Sequence, residues 1–192
     1  MANNKKKGES MMVYLFLADG FETVEALAPY DIMKRAGVDV KSVSIKKDKR
    51  VVSAQGVAVE ADLAINEIKG TTPEMVVLPG GMPGATNLEK SEEVRDCLAH
   101  TYAAGGYLAA ICAAPYVLGV NGYLQGKEAT CYPGFEDKLE GAKLSEKPVI
   151  CDGKIITAAG MGVALEFGFE IVRMLKGYEV AERIKKAVIY TR

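Results

Sequence analysis

The residue of this sequence best suited to covalent chemistry is Cys112. It follows the apolar run 107–111 and precedes Pro115 by three positions. The run predicts a buried parallel strand, and Pro115 fits the first turn of a helix. We therefore expect Cys112 at a sharp strand-to-helix junction, where a nucleophile is presented above a sheet and a helix N-terminus favours its thiolate. The alternative is a cysteine that serves only as a small buried apolar side chain.

Glu25 is the candidate proton partner for this thiol. The single histidine, His100, lies in the helix predicted before the strand, so a cysteine–histidine pair is not expected and a carboxylate is. Val24 and Ala26 flank Glu25 and predict burial, which raises the pKa of a carboxyl. A buried carboxyl can donate a hydrogen bond to a thiolate or move protons as a general acid–base. Glu22 is a competing candidate, and a solvated helix surface is the alternative for both.

Gly80 and Gly81 are candidates for oxyanion stabilisation, and they follow the predicted buried strand 75–78. Glycine allows backbone N–H groups to approach a developing oxyanion, although clusters of proline and glycine are most often simple turns. The phosphate-binding pattern of glycines followed by Lys-Ser or Lys-Thr is absent, and residues 159–162 do not complete a dinucleotide-binding pattern. We therefore expect no nucleotide cofactor.

The order of the remaining elements predicts how these residues meet. Apolar strands alternate with helices, which favours an α/β fold with a mostly parallel sheet and helices on both faces. In such sheets, ligands bind beyond the carboxyl ends of the strands, where 19–25, Gly80-Gly81 and Cys112 all fall. The predicted strands are 11–18, 38–45, one or two within 51–60, 75–78, 107–111, 128–131, and a hairpin of 149–151 with 155–157; the predicted helices are 23–36, 91–104, 113–119, 163–175 and 179–187.

Composition limits the classes of function. The chain has 192 residues, 49% hydrophobic, with a net charge of −1, so we expect one domain (11–192) after a disordered tail (1–10), and neither nucleic acid nor an anionic membrane as partner. Four separated cysteines and one histidine predict no metal site and no disulfide framework. No apolar run approaches the ~20 residues of a membrane span. A cytoplasmic protein without cofactor is the expectation.

Several motifs together resemble the DJ-1/ThiJ/PfpI superfamily, and its DJ-1-like branch in particular. The resemblance implies a flavodoxin-like three-layer sandwich, a homodimer, and a reactive Cys112 hydrogen-bonded to Glu25. It also implies an oxyanion side lined by Gly80, Gly81 and the N–H of Ala113. The matching segments are ADGFETVE (18–25), DIMKRAG (31–37), LPGG (78–81), AAICAAP (109–115) and LEF (165–167).

Three positions depart from patterns within this superfamily. Ala113 replaces the histidine of PfpI-type proteases, so protease activity is not expected. Tyr132 stands where DJ-1 has a histidine and becomes a pocket residue, and Gln55 replaces an anion-holding arginine. The resemblance implies action on methylglyoxal or its early glycation adducts, as a glyoxalase III or deglycase, through Cys112 assisted by Glu25. The alternatives are a redox sensor or chaperone with Cys112 oxidised to sulfinate, and a dimeric scaffold with a vestigial site.

Overall fold

A computed structural model describes residues 12–191 of the chain. The predicted disordered tail (1–10) and the first residue of the first predicted strand lie outside the described residues. Strands are β1 (Met12–Leu17), β2 (Asp39–Ser44), β3 (Arg50–Val52), β4 (Ala58–Glu60), β5 (Leu63–Ala64), β6 (Met75–Leu78), β7 (Tyr107–Ile111), β8 (Glu128–Ala129), β9 (Lys143–Leu144), β10 (Val149–Asp152) and β11 (Ile155–Ala158). Helices are α1 (Thr23–Arg35), α2 (Gly84–Lys90), α3 (Glu92–Ala103), α4 (Pro115–Val120), α5 (Ala164–Lys176) and α6 (Tyr178–Ala187).

Seven of the strands form the central sheet, in the order β10-β11-β7-β6-β1-β2-β5. All neighbours are parallel except β10 and β11, which form the predicted antiparallel hairpin. Leu78 pairs with Ala110 and Ala158 with Ile111, so β6, β7 and β11 end side by side. This register brings the segments that follow β6 and β7 to one edge of the sheet.

The central strands are apolar on both sides because helices cover both faces of the sheet. One face contributes residues such as Leu15 and Val77 to a core with α1 and α5, and the other contributes Phe16 and Val76 to a core with α2, α3 and α4. Such double coverage produces near-continuous hydrophobic strands. The predicted three-layer, flavodoxin-like arrangement is confirmed.

Three local predictions need correction. Helix α2 was not predicted, because it begins at Gly84 within a proline- and glycine-rich segment typical of a turn. The strand predicted over 128–131 is limited to β8. Helix α4 begins at Pro115, so two residues separate it from Cys112. Across residues 12–191, no helix combines the length and the apolar character needed to cross a membrane.

Candidate active site

Cys112 lies directly after β7 in a left-handed backbone conformation, with φ of 65°. Among non-glycine residues of the range 12–191, only Ile189 shares a positive φ. The N–H of Cys112 donates to the carbonyl of Ala158 at 2.8 Å, and its own carbonyl accepts the N–H of Tyr132 at 2.8 Å. Such a conformation costs about 1–3 kcal/mol and persists only where neighbours hold it. The predicted strained junction is therefore present, fixed from two sides.

Glu25 reaches the thiol from the first turn of α1, which follows β1, and β6 lies between β1 and β7 in the sheet. Its side chain is 1% exposed. Oε2 accepts the N–H of Gly80 at 3.1 Å, the N–H of Met161 also donates to the carboxyl, and the carboxyl is hydrogen-bonded to the Cys112 thiol. Burial raises the pKa of Glu25 to about 7. Glu25 therefore changes charge near neutral pH, within the range where an acid–base catalyst operates.

The proton of the Cys112 thiol is held more tightly than the sequence predicted. Burial raises the pKa of the thiol to about 12, with the charge of Glu25 as the next cause, while the N–H groups of Ala113 and Gly81 lower it. The expected thiolate at a helix N-terminus is thus wrong, because burial outweighs the N–H donors. Above pH 7 the pair holds one negative charge, and proton transfer from sulfur to carboxylate conserves it.

Gly80 and Gly81 have different uses at the site. A Cβ at Gly80 would lie 2.6 Å from Oε2 of Glu25 and 2.7 Å from Cβ of Cys112, so only glycine fits between the two groups. Its N–H is taken by Glu25. Gly81 has φ of +88°, and its N–H points to the sulfur of Cys112. Of the three N–H groups predicted to stabilise an oxyanion, those of Gly81 and Ala113 are directed at the sulfur.

Tyr132 lies at the rim of the same site. Its side chain is 51% exposed, and a Cβ at Gly160 would lie 3.4 Å from Cδ2 of Tyr132 and 3.9 Å from Oε1 of Glu25. A neighbouring cleft of about 470 Å³ includes Cys131 and Glu136. The ring is therefore placed to contact a molecule that approaches the Cys112–Glu25 pair.

The other predicted residues are dispersed. Cys97 and Cys131 are buried and Cys151 is half-buried, and burial raises the pKa of each thiol. His100 lies in the last turn of α3, just before the amino end of β7, with Nδ1 2.7 Å from the carbonyl of Asp96. In the described part of the chain no cluster of three His, Cys, Asp or Glu side chains can hold a metal ion.

Two contacts of the site were not foreseen from the sequence. The N–H of Met161 helps to hold Glu25, and the carboxyl of Glu22 accepts the amide N–H of Gln55 at 2.6 Å. The glycines around Met161 were a signal of close backbone approach. No local pattern links Glu22 to Gln55, because the bond joins two turns that are 33 residues apart.

The sequence of this chain matches a known protein family. The model of the DJ-1/PfpI family matches residues 11–174. The zebrafish Parkinson disease protein 7 homolog is 36% identical over 91% of this chain and 95% of its own length. The glutathione-independent glyoxalase DJR-1.2 of Caenorhabditis elegans is 30% identical over 86% of this chain and 88% of its own.

The similarity extends to solved structures and to longer proteins. The structure described as Toxoplasma gondii DJ-1, oxidized, superposes with a TM-score of 0.91 and 33% identity, covering 95% of this chain and 100% of that chain. Arabidopsis thaliana protein DJ-1 homolog B is 34% identical over 98% of this chain, which spans only 42% of that protein. From the matched family model and these relatives, the chain belongs to the DJ-1/PfpI family.

Proposed function

We propose that this protein converts methylglyoxal, or its early glycation adducts, without a cofactor, by means of Cys112 and Glu25. The observation that carries the proposal is the hydrogen bond between a strained, half-buried thiol and a carboxyl whose pKa burial raises to about 7. The name of the nematode relative, a glutathione-independent glyoxalase, gives independent support.

We propose the cytoplasm as the site of action, since cellular reductants there keep thiols reduced.

The first step is addition of the thiol to the aldehyde carbon. A new C–S bond forms, the carbonyl π electrons move to oxygen, and the thiol proton passes to the Glu25 carboxylate. The N–H groups of Gly81 and Ala113, directed at the sulfur, are available to the developing oxyanion beside it. Protonation of that oxygen by Glu25 gives a neutral hemithioacetal and restores the carboxylate.

The second step isomerises the hemithioacetal. Glu25 removes the proton from the former aldehyde carbon, and the electron pair forms an enediolate with the adjacent ketone. Return of that proton to the former ketone carbon, with transfer of the hydroxyl proton to the former ketone oxygen, gives a lactoyl thioester on Cys112. Water then cleaves the C–S bond, releases lactate and a proton and regenerates the thiol, so the sum is methylglyoxal plus water to lactate plus a proton.

Turnover by matched cysteine variants tests the proposal. Methylglyoxal loss and lactate formation are measured with chelator present for the wild-type protein, Cys112→Ser and Cys97→Ser. We expect Cys112→Ser to lose at least about a hundredfold in kcat/KM, because serine in this site is a much weaker nucleophile, and Cys97→Ser to retain full activity. Equal turnover by Cys112→Ser and the wild type would refute the proposal.

We also propose that the protein works as a homodimer. Val24, Met161 and Leu165 are exposed apolar side chains near the amino ends of α1 and α5, two helices that pack together beside the site. Exposed apolar surface of this kind is typical of an interface. Light scattering after gel filtration is expected to give twice the chain mass for the wild type and a smaller mass for Val24→Asp with Leu165→Asp; a monomeric wild type would contradict the proposal.

Oxidation of Cys112 is a second candidate function, in which the protein senses peroxide without turnover. The half-buried thiol and the adjacent carboxyl support it, since that carboxyl can hydrogen-bond a sulfinate when protonated. Each equivalent of hydrogen peroxide transfers one oxygen to sulfur and leaves water. Intact-mass analysis after mild peroxide is expected to show stepwise oxygen addition confined to Cys112; addition distributed over several residues would exclude a specific sensor.

A further inference from the structure

A second carboxyl group, that of Glu22, lies beside the reactive pair. Glu22 precedes α1, and its N–H donates to the carbonyl of Gly80 at 2.9 Å. This bond fixes Glu22 against the glycine that separates Glu25 from Cys112. The side chain is half-buried, and its charge contributes to raising the pKa of Glu25. Glu22 is therefore electrostatically coupled to the site without being part of the reacting pair.

The partner of Glu22 is a neutral amide that the turn between β3 and β4 supplies. Nε2 of Gln55 donates to Oε2 of Glu22 at 2.6 Å. Oε1 of the same amide accepts the hydroxyl of Thr23 at 2.8 Å and the N–H of Thr23 at 3.3 Å. Both ends of the amide are thus fixed, with the NH₂ group toward the carboxylate. An amide orients a carboxylate but leaves its charge in place.

Glu22 forms no ion pair with a lysine or arginine of residues 12–191, where the ion pairs involve other carboxylates. The cleft lined by Cys131 and Pro133, the chain neighbours of Tyr132, carries the same sign of charge. It is lined by Glu136 and Glu146 together with neutral residues, and by no lysine or arginine. A molecule that approaches the thiol therefore meets the negative potential of Glu22 beside the site, which lowers the local concentration of anions.

We propose that Glu22, oriented by Gln55, is a specificity residue that excludes anions from Cys112, so that the substrate is an uncharged or cationic carbonyl compound rather than an oxo acid. For catalysis this rests on the proposed function. The charge selectivity itself does not, because any reagent that alkylates the thiol experiences the same field. Glu22 acts through space on the incoming molecule and takes no part in bond making.

Alkylation with matched reagents tests the selectivity directly. Iodoacetamide is neutral and iodoacetate is anionic. The rate at which each reagent alkylates Cys112 is measured at pH 8 by peptide mass spectrometry. Each rate is divided by the rate of the same reagent with 2-mercaptoethanol, a free thiol. We expect the wild-type protein to disfavour iodoacetate. Glu22→Gln should raise the iodoacetate-to-iodoacetamide ratio about three- to tenfold, as expected for loss of one nearby charge. Gln55→Arg should raise it further, and the exposed control Glu179→Gln should leave it unchanged.

Because the ratio cancels changes in thiol reactivity, a merely structural role for Glu22 would not alter it. High salt should reduce the difference between the alkylation rates of the two reagents, because it screens the charge of Glu22. The proposal is overturned if the wild type does not discriminate against iodoacetate, or if Glu22→Gln leaves the ratio unchanged.

A substrate pair separates this proposal from the proposed function. Turnover of neutral methylglyoxal is compared with that of anionic 4,5-dioxopentanoate, which carries the same ketoaldehyde group and a carboxylate. We expect 4,5-dioxopentanoate to be disfavoured by the wild type and its turnover to rise relative to that of methylglyoxal in Glu22→Gln. If neither aldehyde is turned over while the alkylation ratio responds to Glu22, the proposed function fails and the charge selectivity stands.

Discussion

Two regions of this protein hold a cysteine that is buried or half-buried, and they differ in the groups that accompany the thiol. Cys97 lines a cleft of about 440 Å³ together with His100, the residue pair usually associated with cysteine catalysis. Cys97 belongs to a regular helix, and burial raises the pKa of its thiol to about 11. Cys112 has no histidine, but it has a left-handed backbone and a carboxyl group hydrogen-bonded to its sulfur.

The difference teaches that neither cavity size nor burial distinguishes the thiol that we propose to be reactive. Both thiols have a raised pKa because both are buried. Only Cys112 has an acceptor whose own pKa, about 7, allows it to take the proton at neutral pH. The strained backbone directs the sulfur to that acceptor. The predictions below remove or alter these features one at a time.

Removal of the proton acceptor should have the largest effect. Glu25→Gln keeps the size of the side chain and an N–H donor for sulfur but cannot accept the thiol proton. We expect methylglyoxal kcat/KM to fall about 10²- to 10⁴-fold, the usual contribution of a general acid–base. The exposed control Glu92→Gln should retain wild-type activity, and so should Cys97→Ser in the other region. Full activity in Glu25→Gln would show that another group moves the proton.

The same substitution should change how stability depends on pH. The pKa of Glu25 is raised from 4.5 to about 7 in the folded protein, so folding favours its protonated form. That stabilisation is complete below pH 4.5 and is lost as pH rises to 7, a total of about 3 kcal/mol. The free energy of unfolding is measured with urea at pH 4 and at pH 8. Between these pH values the wild type should lose about 3 kcal/mol more than Glu25→Gln does. Parallel pH profiles would place Glu25 in an ordinary aqueous environment.

A methyl group between the reacting side chains should separate them. In Gly80→Ala the new Cβ would meet both Oε2 of Glu25 and Cβ of Cys112. We expect a loss of about 1–3 kcal/mol in the free energy of unfolding from overpacking, with at least a tenfold drop in kcat. Gly162→Ala is the matched control, because nothing lies within 4 Å of its Cβ position. An active Gly80→Ala protein would mean that the pair tolerates separation.

Substitution at the rim should have the smallest effect. Tyr132→Ala removes an exposed ring at the rim of the site, so we expect KM for methylglyoxal to rise about fivefold, equivalent to ~1 kcal/mol of apolar contact, with kcat preserved. Tyr132→Phe should match the wild type. A fall in kcat for Tyr132→Phe would assign the hydroxyl a chemical role that its position does not suggest.

The sequence predicted this site to the extent that its signals are local. The apolar strand before Cys112 and the apolar neighbours of Glu25 are short-range patterns, and they located both residues. Helix α2 was not predicted because burial of Ala85 and Leu88 in the core stabilises it. This tertiary effect overrides its turn-like composition.

The raised pKa of the Cys112 thiol was not predicted, for a related reason. Its pKa depends on burial and on Glu25, 87 positions earlier in the sequence. A helix N-terminus is visible in the sequence, whereas the sum of distant atoms that desolvate a sulfur is not. The direction of the pKa shift of Glu25 was predictable from its apolar neighbours, but that of Cys112 was not.

The rate of iodoacetamide alkylation at Cys112 as a function of pH tests the central claim, that Glu25 accepts the thiol proton. The account predicts a rate that rises with an apparent pKa near 7 and then levels off, following Glu25, while Cys97 stays unreactive. In Glu25→Gln the rise should move to pH 8.5 or above, as for an unassisted thiol. A wild-type profile like that of an unassisted thiol, or one that Glu25→Gln leaves in place, would contradict the account.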